Sequence, residues 1–114
     1  MLNQAYGVGH TANFKQYSYV SDLRKNGSIV KMWSMADYNA TQQISSKRYL
    51  STMSQDEYDC KEERTRSLIL TWYSGNMGKG DQVYSIHDPQ QWEPNPPGSL
   101  IEDLWKVACG KLKK

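Results

Sequence analysis

Two cysteines set the tightest limit on how this chain can fold. Cys60 lies in Glu57-Tyr58-Asp59-Cys60-Lys61-Glu62, within a stretch that reads as sheet. Cys109 lies near the end of the last helical stretch, in Leu104-Trp105-Lys106-Val107-Ala108-Cys109-Gly110, and there is no third cysteine. A bond between them would pin the terminal helix to the sheet. It would close a loop of about 50 residues, worth roughly 4 kcal/mol in the chain-entropy view of cross-linking. Such a bond persists only in an oxidising compartment. Two unpaired, buried thiols stay open as the alternative, because free cysteine packs as a small hydrophobe.

A chain of 114 residues is one domain. Leu, Ile, Val and Phe are scarce, 19 of 114, a level that accompanies disorder when net charge is high. Here the net charge is only +2, and four Trp and eight Tyr supply apolar area instead. A folded, aromatic-rich domain follows. A charge of +2 is too weak to imply nucleic acid or an anionic membrane as partner. No run of 18 apolar residues is present, so no transmembrane helix is expected. Met1-Leu2-Asn3-Gln4 has neither a charged n-region nor an apolar h-region. An exported protein would therefore carry its signal peptide outside this chain.

Residues 1–13, with Gly7, Gly9 and little apolar content, read as a flexible N-terminal arm. Residues 14–20 read as a short Tyr-rich strand, Asn26-Gly27 as a turn, and residues 28–36 as a strand with bulky side chains on both faces. Residues 39–46 read as polar loop. Residues 48–60 and 64–73 read as longer strands, the second with Leu68, Leu70 and Trp72 on one face and Ser67, Ile69 and Thr71 on the other. No Gly or Pro separates these two, which leaves open a hairpin or one long bent strand. Residues 74–81 form a glycine-rich hairpin loop, residues 82–86 return as a strand, and residues 89–98 hold four prolines and Trp92. Residues 111–114 are a basic tail.

The final helix has the clearest signature. Ser99 and Glu102 fit a capping box, and Pro97-Gly98 blocks an earlier start. Ile101, Leu104, Trp105, Ala108 and Cys109 make one apolar stripe, and Gly110 follows where a left-handed residue is wanted. The expectation is an α+β fold: an antiparallel β-sheet of five or six strands with one C-terminal helix packed on one face. Cys60 must then lie on the covered face with Tyr58, and Glu62 would be awkward there. The strand should therefore end just after Cys60.

The sequence is poor in catalytic chemistry. His10 and His87 neighbour no cysteine and share no metal-ligand spacing, so neither a metal nor a cofactor is expected. Gly75-Asn76-Met77-Gly78-Lys79-Gly80 has two residues where a phosphate loop has four, and Gly80 where that loop needs Ser or Thr. It reads as a hairpin loop in which Asn76, Met77 and Lys79 are candidate binding residues. The charges from Asp56 to Arg66 read as an exposed strand face and turn joined by cross-strand pairs. Trp33, Trp72, Trp92 and Trp105 could line a binding platform, but at least two are needed for the core.

Five blocks carry a resemblance. They are Lys31-Met32-Trp33-Ser34-Met35 with Asp37-Tyr38; Tyr58-Asp59-Cys60-Lys61-Glu62 with Arg64 and Arg66; Tyr73-Ser74-Gly75-Asn76-Met77-Gly78; Trp92-Glu93-Pro94; and Pro96-Pro97-Gly98-Ser99 leading to Leu104-Trp105-Lys106 and Ala108-Cys109-Gly110. In order and spacing they resemble the bacterial surface-adhesin protein E family over roughly residues 15–110. The resemblance implies an exported protein of the periplasm or outer-membrane surface, related to an adhesin for host extracellular-matrix and serum proteins. It brings no catalytic motif, and only Cys60 and Cys109 carry over.

Three functions compete. The first is a non-enzymatic binding module for a protein partner, using the uncovered sheet face or the loop around Asn76. The second is a structural envelope protein that self-associates, for instance as a homodimer. The third is an enzyme or small-ligand carrier, which a deep pocket with convergent polar groups would favour. A flat aromatic patch would favour the adhesin.

Overall fold

The computed structural model describes residues 6–10 and 14–111. Their strands are β1 (Tyr6–His10), β2 (Phe14–Ser18), β3 (Arg24–Asn26), β4 (Ile29–Ile44), β5 (Lys47–Asp59), β6 (Arg64–Tyr73), β7 (Gln82–Ile86) and β8 (Glu93–Pro94). One helix, α1 (Leu100–Ala108), follows. All strand pairs are antiparallel. The continuous path runs β1-β2-β4-β5-β6-β7, with β3 beside β4 and β8 beside β6. The α+β expectation holds, and β3 and β8 extend the six-strand path. Of the arm expected over residues 1–13, Tyr6–His10 pairs with β2; its other residues lie outside the described ones, as do residues 112–114 of the tail.

The polar loop expected over residues 39–46 is mostly strand. β4 continues to Ile44, and a two-residue turn at Ser45-Ser46 (φ 48° and 67°) reverses the chain into β5. Backbone pairing to β5 needs no apolar side chains where both faces meet water, so polarity was a poor guide there. An irregularity between Asp37 and Gln42 marks where the buried part of the strand gives way to this extension.

The open choice over residues 48–73 resolves as a hairpin. Asp59 makes the turn that Gly or Pro usually makes. Its carboxylate accepts from the amides of Lys61 and Glu62, each at 3.1 Å, and its carbonyl accepts from Glu63 N–H at 3.0 Å. β5 ends at Asp59, as the awkward position of Glu62 required. One parity expectation fails. Gln55 pairs with Ile69 and Asp56 with Ser67, so Leu68 is an extra residue in β6. This bulge puts Thr65 and Ser67 on the same face as Leu70 and breaks the simple alternation.

α1 crosses one face of the sheet. The Ser99 hydroxyl accepts from Glu102 N–H at 3.1 Å. The Glu102 carboxylate reaches back to Gly98 N–H at 2.9 Å rather than to Ser99, whose amide is taken by the Pro96 carbonyl. At the other end Gly110 (φ 70°) donates to the Val107 carbonyl and Lys111 to the Lys106 carbonyl, a Schellman closure. Leu104, Trp105 and Ala108 bury against Val30, Met32 and Tyr58. Ile101, assigned to the same stripe, is 39 % exposed, because the first turn of α1 overhangs a cleft instead of the core. Cys60 and Cys109 form a disulfide with Cα atoms 5.6 Å apart. No helix among the described residues is long and apolar enough to cross a membrane.

Candidate recognition surface and ligand cleft

The loop between β6 and β7 is held rigidly. Ser74 N–H donates to the Asp81 carbonyl and Gly75 N–H to the Lys79 carbonyl, each at 2.9 Å. Gly80, at φ 83°, crosses so close to Ser74 and Gly75 that a Cβ would collide with both. The closed loop folds down onto the sheet face opposite α1. Ser51, fully buried, donates to the Gly75 carbonyl at 2.6 Å and accepts from Gly78 N–H at 2.9 Å. The Asn76 amide donates to the Asp37 carboxylate at 3.0 Å and to the Tyr38 carbonyl at 2.7 Å. Met77 N–H donates to the same Asp37 oxygen at 2.7 Å.

The three candidate residues thus differ in role. Asn76 is a clamp whose amide protons are spent within the protein. Met77 sits at φ 58° and is 47 % exposed, and Lys79 is exposed in the same loop. Against this loop lies a groove of about 370 Å³ lined by Phe14, Tyr17, Asp37, Tyr38 and Asn76 among others. The rings of Phe14 and Tyr38 are 5.4 Å apart, and Tyr38 meets Tyr49 edge-on at 5.6 Å. Burial, then the neighbouring Tyr49, pushes the Tyr38 phenol above its ordinary pKa, so it stays a hydrogen-bond donor.

The four tryptophans do not form a platform. Trp105 is in the core, Trp72 packs on Tyr84, and Trp33 is half-buried on β4. Trp92 lies under the guanidinium groups of Arg64 and Arg66, at 4.7 and 4.9 Å. Those arginines also make the expected cross-strand pairs, Arg66 with Glu57 at 2.7 Å and Arg64 with Asp59 at 3.0 Å. Burial pushes the Asp59 carboxyl up, but the Glu62 amide, the Arg64 guanidinium and the Lys61 amide outweigh it and hold it below the ordinary value.

The charged stretch was expected to be exposed, and Asp56 departs from that. It is 4 % exposed and lies on the covered face with Tyr58. Above it opens a cleft of about 470 Å³ between the sheet, residues 90–96 and the first turns of α1. Ser54 donates to Asp56 Oδ1 at 2.8 Å and Tyr58 to Oδ2 at 3.3 Å, and Ser67 also bonds this carboxylate. Burial raises the Asp56 pKa, and the three hydroxyls oppose it only in part. The segment roofing the cleft is tied to β6 by Gln90 N–H to the Ser67 carbonyl at 2.8 Å and by Thr65 to Asn95 at 2.7 Å. Sequence reasoning missed this site, although Asp56 shares parity with Tyr58 on β5.

The sequence model of one family, described as surface-adhesin protein E, matches residues 7–110. No curated protein matches the chain in sequence. Solved structures match in fold. A second crystal form of Haemophilus influenzae protein E superposes with a TM-score of 0.70 at 8 % identity, covering 90 % of this chain and 91 % of that one. Protein E from non-typeable Haemophilus influenzae gives 0.65 at 11 % identity, covering 91 % and 75 %.

Proposed function

We propose that this chain, which belongs to the surface-adhesin protein E family, is a non-enzymatic protein of the periplasm or outer-membrane surface that binds host extracellular-matrix or serum proteins. The observation that carries the reading is the clamped loop. Asn76 and Ser51 pin it, so Met77 and Lys79 are presented beside the Phe14, Tyr38 and Tyr49 row with little left to order on binding. Methionine adapts to irregular partner surfaces. Tyrosine offers a broad ring and a polar tip, the composition of protein-binding patches. The Cys60–Cys109 bond supports an envelope location, because it requires oxidising surroundings.

The test is surface plasmon resonance against a panel of immobilised matrix and serum glycoproteins. Met77→Asp should weaken any interaction about tenfold or more, as expected for a central contact. Lys61→Glu, on the distant β5–β6 turn, should leave it unchanged. Absence of binding to every panel member, or equal loss in both variants, would refute the reading.

A further inference from the structure

The cleft above Asp56 lies on the α1 side of the sheet, across the molecule from the Met77 loop. Its floor holds a carboxylate that is almost wholly buried and hydrogen-bonded by three hydroxyls. Among the described residues no cation pairs with it. Arg66 reaches the cleft wall, but its guanidinium is held by Glu57 and stacked on Trp92. Hydroxyls solvate a buried carboxylate without cancelling its charge, and an uncompensated buried charge is costly. Such a group beside an open cavity marks a place where a ligand can supply the missing charge.

The rest of the cleft narrows the ligand. Gln16, Ser34 and Thr52 continue the polar floor and offer oxygen acceptors. Leu70, Leu100 and Ile101 give apolar walls, and Ile101 stands exposed at the mouth. The size falls within the range of small-molecule sites. An ammonium group has three N–H donors and no acceptor. It could donate to Asp56 and to neighbouring oxygens while a hydrocarbon body covers the walls. An anionic head would be repelled by Asp56, and a neutral one would leave its charge standing.

We propose that this cleft binds a small amphiphilic amine, one ammonium group on a compact apolar body. The test uses three probes with one hydrocarbon body: hexylamine, hexanol and hexanoate. Binding is followed by amide chemical-shift titration of the full chain. Hexylamine should shift the amides of Ser54, Asp56 and Leu104 and bind roughly tenfold more tightly than either control, the scale of a charge-assisted bond. Asp56→Asn should bring the amine to the level of hexanol, with thermal melting confirming a folded variant. Ile101→Lys, at the exposed mouth, gives a second test: it should weaken the amine and strengthen hexanoate. A short lysine-containing peptide with a blocked N-terminus tests chain-borne ammonium, and binding of that peptide but not of hexylamine would overturn the proposal. So would equal affinity for the three probes, or a preference for the amine that survives both substitutions. Met77→Asp should not affect amine binding, which separates this site from the protein-binding surface.

Discussion

The Trp105 indole N–H donates to the Asp59 carbonyl at 2.8 Å, one residue before Cys60, whose sulfur is bonded to Cys109. The helix is therefore docked twice at one point, by a buried hydrogen bond and by a covalent link. The two differ in what they act on. The hydrogen bond and the indole packing stabilise the folded state, whereas the disulfide chiefly restricts the unfolded chain.

Trp105→Ala should cost about 3–5 kcal/mol, the range for truncating a buried aromatic. Trp105→Phe keeps most of the packing and removes only the indole hydrogen bond, at about 0.5–1.5 kcal/mol, because the Asp59 carbonyl keeps its bond from the Glu63 amide. Denaturant unfolding of the two variants separates these contributions. A loss below about 0.5 kcal/mol in the alanine variant would contradict the burial of this side chain.

Replacing both cysteines with serine should lower stability by about 2–4 kcal/mol. The melting temperature should fall by on the order of 10–15 °C for a domain of this size. The fold should survive, because Leu104, Trp105 and Ala108 pack on Val30, Met32 and Tyr58 without the bond. Circular dichroism melts of the oxidised protein and the serine variant give the comparison.

Asp59→Ala should cost about 2–3 kcal/mol at neutral pH, by removing the bonds that hold two turn amides and by unpairing Arg64. The Arg64 share is the smaller, since that side chain is partly in water. The pKa of Asp59 is lowered in the folded protein. Its contribution is therefore complete above the ordinary carboxylate pKa and is lost as pH falls through the folded value. Asp56 has the opposite sign: its pKa is raised, so the stability it withholds above that raised value returns as pH falls through it. Stability measured against pH should show Asp59→Ala converging on the parent protein in acid and Asp56→Asn diverging from it, to the side of greater stability, as pH rises through the raised Asp56 value.

Asn76→Ala should destabilise the protein by about 1–2 kcal/mol by removing two side-chain hydrogen bonds. Its sharper effect is local. Amide exchange at Met77 and Gly78 should accelerate well beyond the global change, because their partners Asp37 and Ser51 hold the loop only while it stays docked. Equal acceleration across the whole sheet would show that the clamp has no separate role.

Much of the architecture was legible because its causes are local. The Ser99 cap, the Gly110 closure and the stripe through Leu104 and Trp105 specify α1 within a dozen residues, and Gly27 takes the positive φ that its turn needs. The cysteine pair, once placed on a helix and a strand, indicated which face the helix covers. The extension of β4 to Ile44 was not legible, because exposed backbone pairing leaves no hydrophobic pattern. The β5–β6 turn was not legible either, because Asp59 builds it with side-chain bonds where no Gly or Pro marks it.

The candidate sites depended on contacts that no window of sequence contains. The glycines announced the loop around Met77, but its rigidity comes from Asp37 and Ser51, which lie 40 and 27 residues away from the amides that they hold. Asp56 looked like one more charge in a solvated run. Its burial follows from the register of β5 and from the helix that roofs that face. Residue chemistry alone thus determined the capped helix, the glycine turns and the single possible disulfide. The tertiary structure decided which charge is denied solvent, because desolvation depends on everything packed around a group and not on its neighbours in the chain.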